Sequence, residues 1–104
     1  MHSGHERREL GDARVVVDGL EISALLALTV GQMDRAARLL GAADALRETI
    51  GQPLSPSERA GVDVDVATVR TALGDDAFTA AWAVGRAMSL EEVIAYALED
   101  PSSS

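Results

Sequence analysis

The chain has 104 residues, with 17 Asp and Glu against nine Lys and Arg, giving a formal net charge of -8. That length allows one domain with a modest core, and that charge repels phosphate backbones over roughly a Debye length, about 8 Å at physiological salt, which argues against direct nucleic-acid binding. Cysteine is absent and Phe78, Trp82 and Tyr96 are the only aromatics, so disulfide and thiolate chemistry are excluded and the core must be built from Leu, Val, Ile and Ala, as close-packed helices allow.

Met1 to Leu10 is polar and reads, as residues 1–11, as a flexible N-terminal segment. From about Asp12 to Val30 the spacing is helical. Leu20, Ser23, Ala24, Ala27 and Leu28 share one side, while Ile22, Leu25, Leu26 and Val30 fall on others. The apolar run from Val15 to Val30 is interrupted by Asp18, Gly19 and Glu21, and a membrane span needs about 20 apolar residues. No leader with a small-residue cleavage site precedes it, so a soluble, cytoplasmic protein with no membrane partner is expected. A helix that is apolar almost all round in its second half calls for neighbours on more than one face.

After Gly31 and Gln32, a second helix is predicted over Met33 to Ile50, with Ala36, Leu39, Leu40, Ala43, Leu46 and Ile50 in one stripe and Asp34 able to pair with Arg38. Gly51 supplies a left-handed stop, and Pro53 and Pro56 block continuation. Ser55-Pro56-Ser57-Glu58 combines a cap, a proline at the first helical position and a capping-box glutamate, so a third helix starts there. Val62-Asp63-Val64-Asp65-Val66 alternates like a strand, yet Val62, Val66, Val69 and Leu73 also share a helical face. Helix is the reading chosen, because a lone strand cannot satisfy its backbone groups.

Gly74 ends that helix, and Asp75 or Asp76 caps a fourth whose face is Phe78, Ala81, Trp82 and Gly85, with Trp82 at the centre of this half. Ser89-Leu90-Glu91-Glu92 is a second capping box, opening a fifth helix with Leu90, Val93, Ile94, Ala97 and Leu98 inward. Residues 12–99 thus form an all-α domain of about five helices in antiparallel pairs, and 100–104 read as a tail or linker.

The segment from Gly31 to Leu98 resembles the C-terminal tetratricopeptide-like helical region of large bacterial, especially actinobacterial, regulators of the LuxR/MalT type. The resemblance is carried by Arg35-Ala36-Ala37-Arg38-Leu39-Leu40-Gly41-Ala42-Ala43-Asp44-Ala45-Leu46-Arg47-Glu48, by Ile50-Gly51-Gln52-Pro53-Leu54 with Pro56, Glu58 and Arg59, by Ala72-Leu73-Gly74-Asp75-Asp76-Ala77-Phe78, and by Ala80-Ala81-Trp82 with Gly85-Arg86-Ala87 through Ser89-Leu90-Glu91-Glu92-Val93. The sequence departs from that pattern at Gln32 and Met33, where an Asp-Pro start is common, and at Gly61 to Val66, where stronger helix formers are usual. The resemblance implies a sensor and partner-binding portion of a regulator with an ATPase before it, sometimes a cyclase-like or kinase domain before that, and often a DNA-binding helix-turn-helix after it. The chain contains no Gly-rich phosphate loop, so the ATP and DNA sites are expected in the rest of such a protein.

Candidate sites are few. His2 and His5 with Glu6 lack the i, i+4 histidine pair of a helical zinc site. Asp63, Asp65, Asp75 and Asp76 lack the Gly and Glu of a calcium loop. No nucleophile and base are brought together by any recognisable motif. The expectation is therefore a non-enzyme with no metal and no cofactor. Glu91, Glu92, Glu99 and Asp100 place acids where a DNA-reading helix would need cations. Phe78 and Trp82 form a candidate ligand platform, although an aromatic pair four apart is more often core. Ile22, Leu25, Leu26 and Val30 form a candidate interaction surface, for a protein partner, for neighbouring helical repeats, or for a second copy in a homodimer of the isolated chain. The expected function is a non-catalytic helical-repeat module of a multidomain transcriptional regulator, acting in protein–protein interaction or signal sensing. The alternative is a stand-alone oligomerisation module left by a truncated gene.

Overall fold

In the computed structural model the backbone is described for residues 2–51 and 54–98, and the side chains for 14–51, 54–89 and 91–96. The described residues form five helices and no strand: α1 (His2–Thr29), α2 (Met33–Ile50), α3 (Pro56–Leu73), α4 (Asp75–Ala87) and α5 (Leu90–Leu98). The fold is all-α, as the patterning predicts. Pro53, the 100–104 tail and the side chains of His2, His5 and Glu6 lie outside the described residues.

Local chemistry sets the helix ends. α1 begins at His2 rather than near Asp12. Glu6, Arg7, Arg8 and Glu9 are good helix formers but carry no apolar period to reveal it. Gly51 closes α2 in the left-handed conformation, at φ 66° and ψ 36°, and its N–H donates to the carbonyls of Arg47 and Glu48. Both capping boxes form. Ser55 Oγ accepts from the Glu58 N–H at 3.3 Å and the Ser55 N–H donates to Glu58 Oε1 at 3.0 Å. At α5 the Ser89 and Glu92 pair does the same, at 3.1 and 2.8 Å.

Val62 to Val66 is helical throughout, with Val69 fully buried and Val64 facing water. The start of α4 and the inner face of α5 also depart from expectation. Gly74, not Asp75 or Asp76, is the N-cap of α4, with no side-chain cap bond. The helix starts one residue early, which puts both acids in its first turn, where they favour the positive end of the helix dipole, and Asp75 instead accepts from Arg70 Nε at 2.9 Å. Ile94, expected inward, is exposed, because α5 is short and rests lightly on α1 and α2.

α2 is the axis of the molecule, with α1 and α4 as its principal neighbours. α1 returns onto α2 after only residues 30–32, which makes the two an antiparallel hairpin. The core gathers Leu20, Ala24 and Ala27 of α1, Ala36, Ala37, Leu39, Leu40, Ala42 and Ala43 of α2, Val69 of α3, Phe78 and Ala81 of α4 and Val93 of α5. Leu20, Leu39 and Val69 are its largest fully buried side chains, each contributing roughly 1.5–3 kcal/mol.

The α2–α4 crossing depends on two glycines. A Cβ on Gly85 would lie 2.0 Å from the Arg38 carbonyl oxygen, and one on Gly41 would lie 2.4 Å from that of Trp82. Backbone meets backbone there, an approach that no residue with a Cβ permits. Of the aromatic pair on α4, Phe78 is the one in the core. Trp82 lies at its edge, half-buried, with ring centroids 5.5 Å apart and planes tilted by 33°.

Candidate interaction surface

α1 is apolar on two opposite sides. Val17, Leu20, Ala24 and Ala27, at steps of three and four, face inward and are buried. On the other side Ile22, Leu25, Leu26 and Val30 are 62%, 51%, 59% and 63% exposed, and Val15 begins the same row two turns earlier. Ile22, Leu25 and Leu26 thus sit together on the solvent side of α1, and Val30, in the turn that follows it, extends the row. A lone exposed aliphatic residue is ordinary, but a continuous row on one helix face is the kind of surface that partners cover.

Beside this row, α1 and α3 both pack on α2 and scarcely touch one another. The groove left between them is about 480 Å³. Ile22 and Leu25 line it from α1, and Gly61 and Val62 from α3, with Asp18, Glu21, Glu58 and Asp65 along its length.

A chain of ion pairs crosses the helices at one end of the groove. Arg47, the one buried charged residue among the described residues, donates to Glu21 of α1 and lies 3.6 Å from Asp44. Arg86 of α4 binds the same Asp44 and, at 2.8 Å, Glu48. Burial raises the pKa of the Glu21 carboxyl above its ordinary value, and the opposing field of Arg47 does not cancel that cost. Glu58, at the surface, is shifted the other way, because its carboxylate accepts the Ser55 backbone N–H. These ion pairs hold helices together, with Asp44 shared between Arg47 and Arg86, and they do not assemble a nucleophile with a base. Among the described residues no group of three or more metal-ligating side chains comes together, and no helix is long and apolar enough to cross a membrane.

At the far end of the molecule, Arg35 stacks on the Tyr96 ring, 4.6 Å from its centroid, and donates to the Tyr96 carbonyl at 2.7 Å. These contacts tie α2 to α5. The Glu21–Arg47 pair, the acidic rim and the bare Gly61 were not singled out in the sequence. Glu21 and Arg47 are 26 positions apart, and no local pattern links them.

The chain matches no family model and no solved structure. Among curated proteins it is similar to one from Mycobacterium bovis and to two from Mycobacterium tuberculosis, all provisionally named HTH-type transcriptional regulators. Each is 45% identical over 80 residues, which cover 77% of this chain. The chain spans 9% of the length of each of these relatives. It is therefore similar to one stretch of much longer proteins that carry a regulator's name.

Proposed function

We propose that this chain is a non-catalytic helical module of a transcriptional regulator, and that the outer row of α1 is where it meets a protein partner or the neighbouring helical units of such a regulator. The observation that carries the reading is the joint exposure of Ile22, Leu25 and Leu26 on α1, and of Val30 just after it, opposite a helix face that is already buried. A helix in a stack of pairs has a neighbour on each side. The similarity to long regulators supports the reading, as does the alanine-lined α1–α2 hairpin, which suits the stacked pairs of a tetratricopeptide-like array. Reading of DNA falls to another part of such a protein, because the α5 surface presents Glu91 and Glu92 and the chain carries a net charge of -8.

Site-specific photo-cross-linking in the native host tests this reading. A photoreactive residue at Leu26 should give a discrete protein adduct, and one at Ala83, exposed on α4, should give none. No adduct from position 26, or the same adducts from both positions, would contradict it.

A further inference from the structure

We infer that the groove between α1 and α3 receives a cationic amphipathic helix of a partner polypeptide, with aliphatic residues in its stripe and Lys or Arg on its flanks. The inference deepens the interaction reading and rests on it. Two properties of the groove specify the occupant. Its floor is apolar and open, with Ile22 and Leu25 on one side, Val62 on the other, and Gly61 adding no side chain, since nothing lies within 4 Å of where its Cβ would be. The trough between two helices is the shape that takes the ridge of a third.

Its rim is acidic on both banks, with Asp18 and Glu21 on α1 and Glu58 and Asp65 on α3; Arg14 and Arg47 adjoin Asp18, Glu21 and Glu58 only at one end, outside the lining of the groove. Glu21 is engaged by Arg47 and Glu58 by its capping box, but Asp18 and Asp65 have no partner among the described residues. Asp18 and Asp65 therefore leave uncompensated negative charge on the two banks of the apolar floor. Anionic ligands are thereby rejected. A second copy of this chain is disfavoured as the occupant, because it would add its own charge of -8 to the same rim. A helix with basic flanks relieves the repulsion while its stripe covers the floor.

The test uses the whole chain and a fluorescein-labelled helical peptide with a Leu stripe flanked by Lys and Arg, together with its twin in which every Lys and Arg is Glu. The cationic peptide should bind, more weakly as salt rises, and the acidic twin should not. Asp18→Asn with Asp65→Asn should weaken binding by about tenfold, as two partly exposed pairs allow. Gly61→Leu should abolish binding by filling the floor. It replaces an exposed helix-interior glycine with a better helix former, so an unchanged or raised melting temperature shows that the loss is not unfolding.

Equal binding of the two peptides, or binding retained by Gly61→Leu, would overturn the inference. So would a wild-type dimer in sedimentation that Gly61→Leu converts to monomer, since the groove would then hold a second copy. If the Leu26 cross-link forms but the peptide does not bind, the groove inference falls alone. Loss of the Leu26 cross-link removes the reading beneath it.

Discussion

Replacing Gly85 with alanine should destabilise the protein, although the same change at Gly61 should stabilise it. Both glycines are inside helices, and in a helix interior alanine is favoured over glycine by roughly 0.5–1 kcal/mol. At Gly61 nothing lies within 4 Å of the new Cβ, so that gain is kept whole. At Gly85 the Cβ would stand 2.0 Å from the Arg38 oxygen, 2.8 Å from its carbon and 3.0 Å from the Ala42 nitrogen. Side-chain carbons essentially never come within 3.0 Å of such atoms, so α4 must move away from α2 by about 1 Å. The obstruction is backbone, which no rotamer change relieves. Overpacking typically costs about 1–3 kcal/mol, and a clash of this kind belongs at or above the upper end. After subtracting the helix gain, the net loss is about 2 kcal/mol, which in a domain of this size lowers Tm by roughly 8–16 °C. Thermal unfolding followed by circular dichroism should show Gly85→Ala melting lower and Gly61→Ala a few degrees higher than wild type. An unchanged or raised Tm for Gly85→Ala would refute the close backbone crossing.

Further substitutions probe the remaining contacts. Arg47→Met leaves Glu21 partly buried without its cation and should cost about 1–3 kcal/mol, and adding Glu21→Gln should recover part of that loss in a denaturant-melt cycle. Phe78→Ala should cost about 3–5 kcal/mol and Trp82→Ala less, about 2 kcal/mol, since Phe78 is inside the core and Trp82 at its edge; the reverse order in urea unfolding would contradict that placement. Glu58 has a pKa below its ordinary 4.5, so its contribution is complete above 4.5 and is lost as pH falls through the lowered value. The gap in urea midpoint between wild type and Glu58→Gln should therefore be widest near neutral pH and close in acid. Glu21 has the opposite sign. Its raised pKa gives a contribution present below 4.5 and lost as pH rises through the raised value, so Glu21→Gln should gain on wild type with rising pH.

Helix ends are legible in the sequence where a capping box or a left-handed glycine stop makes them, but not at the start of α4, where Gly74 and not an acid is the N-cap. The boxes at Ser55 and Ser89 and the stop at Gly51 fix the edges of α2, α3 and α5 from neighbouring residues alone. The start of α1 was not legible, because its opening residues have helical propensity without an apolar stripe. Periodicity shows which face of a helix is apolar but not what lies against it. Gly85 was visible on the inner face of α4, yet nothing local indicates that Gly41 and Arg38 of α2 lie against α4 there. Ile94 and Trp82 are misjudged on the same ground, since each is on the apolar side of its helix but at the edge of its neighbour. The outer row of α1 was legible because that helix carries more aliphatic residues than a single face can bury. The groove beside it was not, because it depends on how α1 and α3 are spaced across α2.

The most direct test of the account is solvent-probe NMR on the side-chain methyl groups of dilute protein, with a soluble gadolinium chelate as the relaxation agent. The methyls of Ile22, Leu25, Leu26 and Val30 should be strongly broadened, while those of Leu20, Leu39 and Val69 stay sharp. If the outer row of α1 were as protected as those core methyls, that face would already be covered in the isolated chain, and the central claim that it awaits a partner would be wrong.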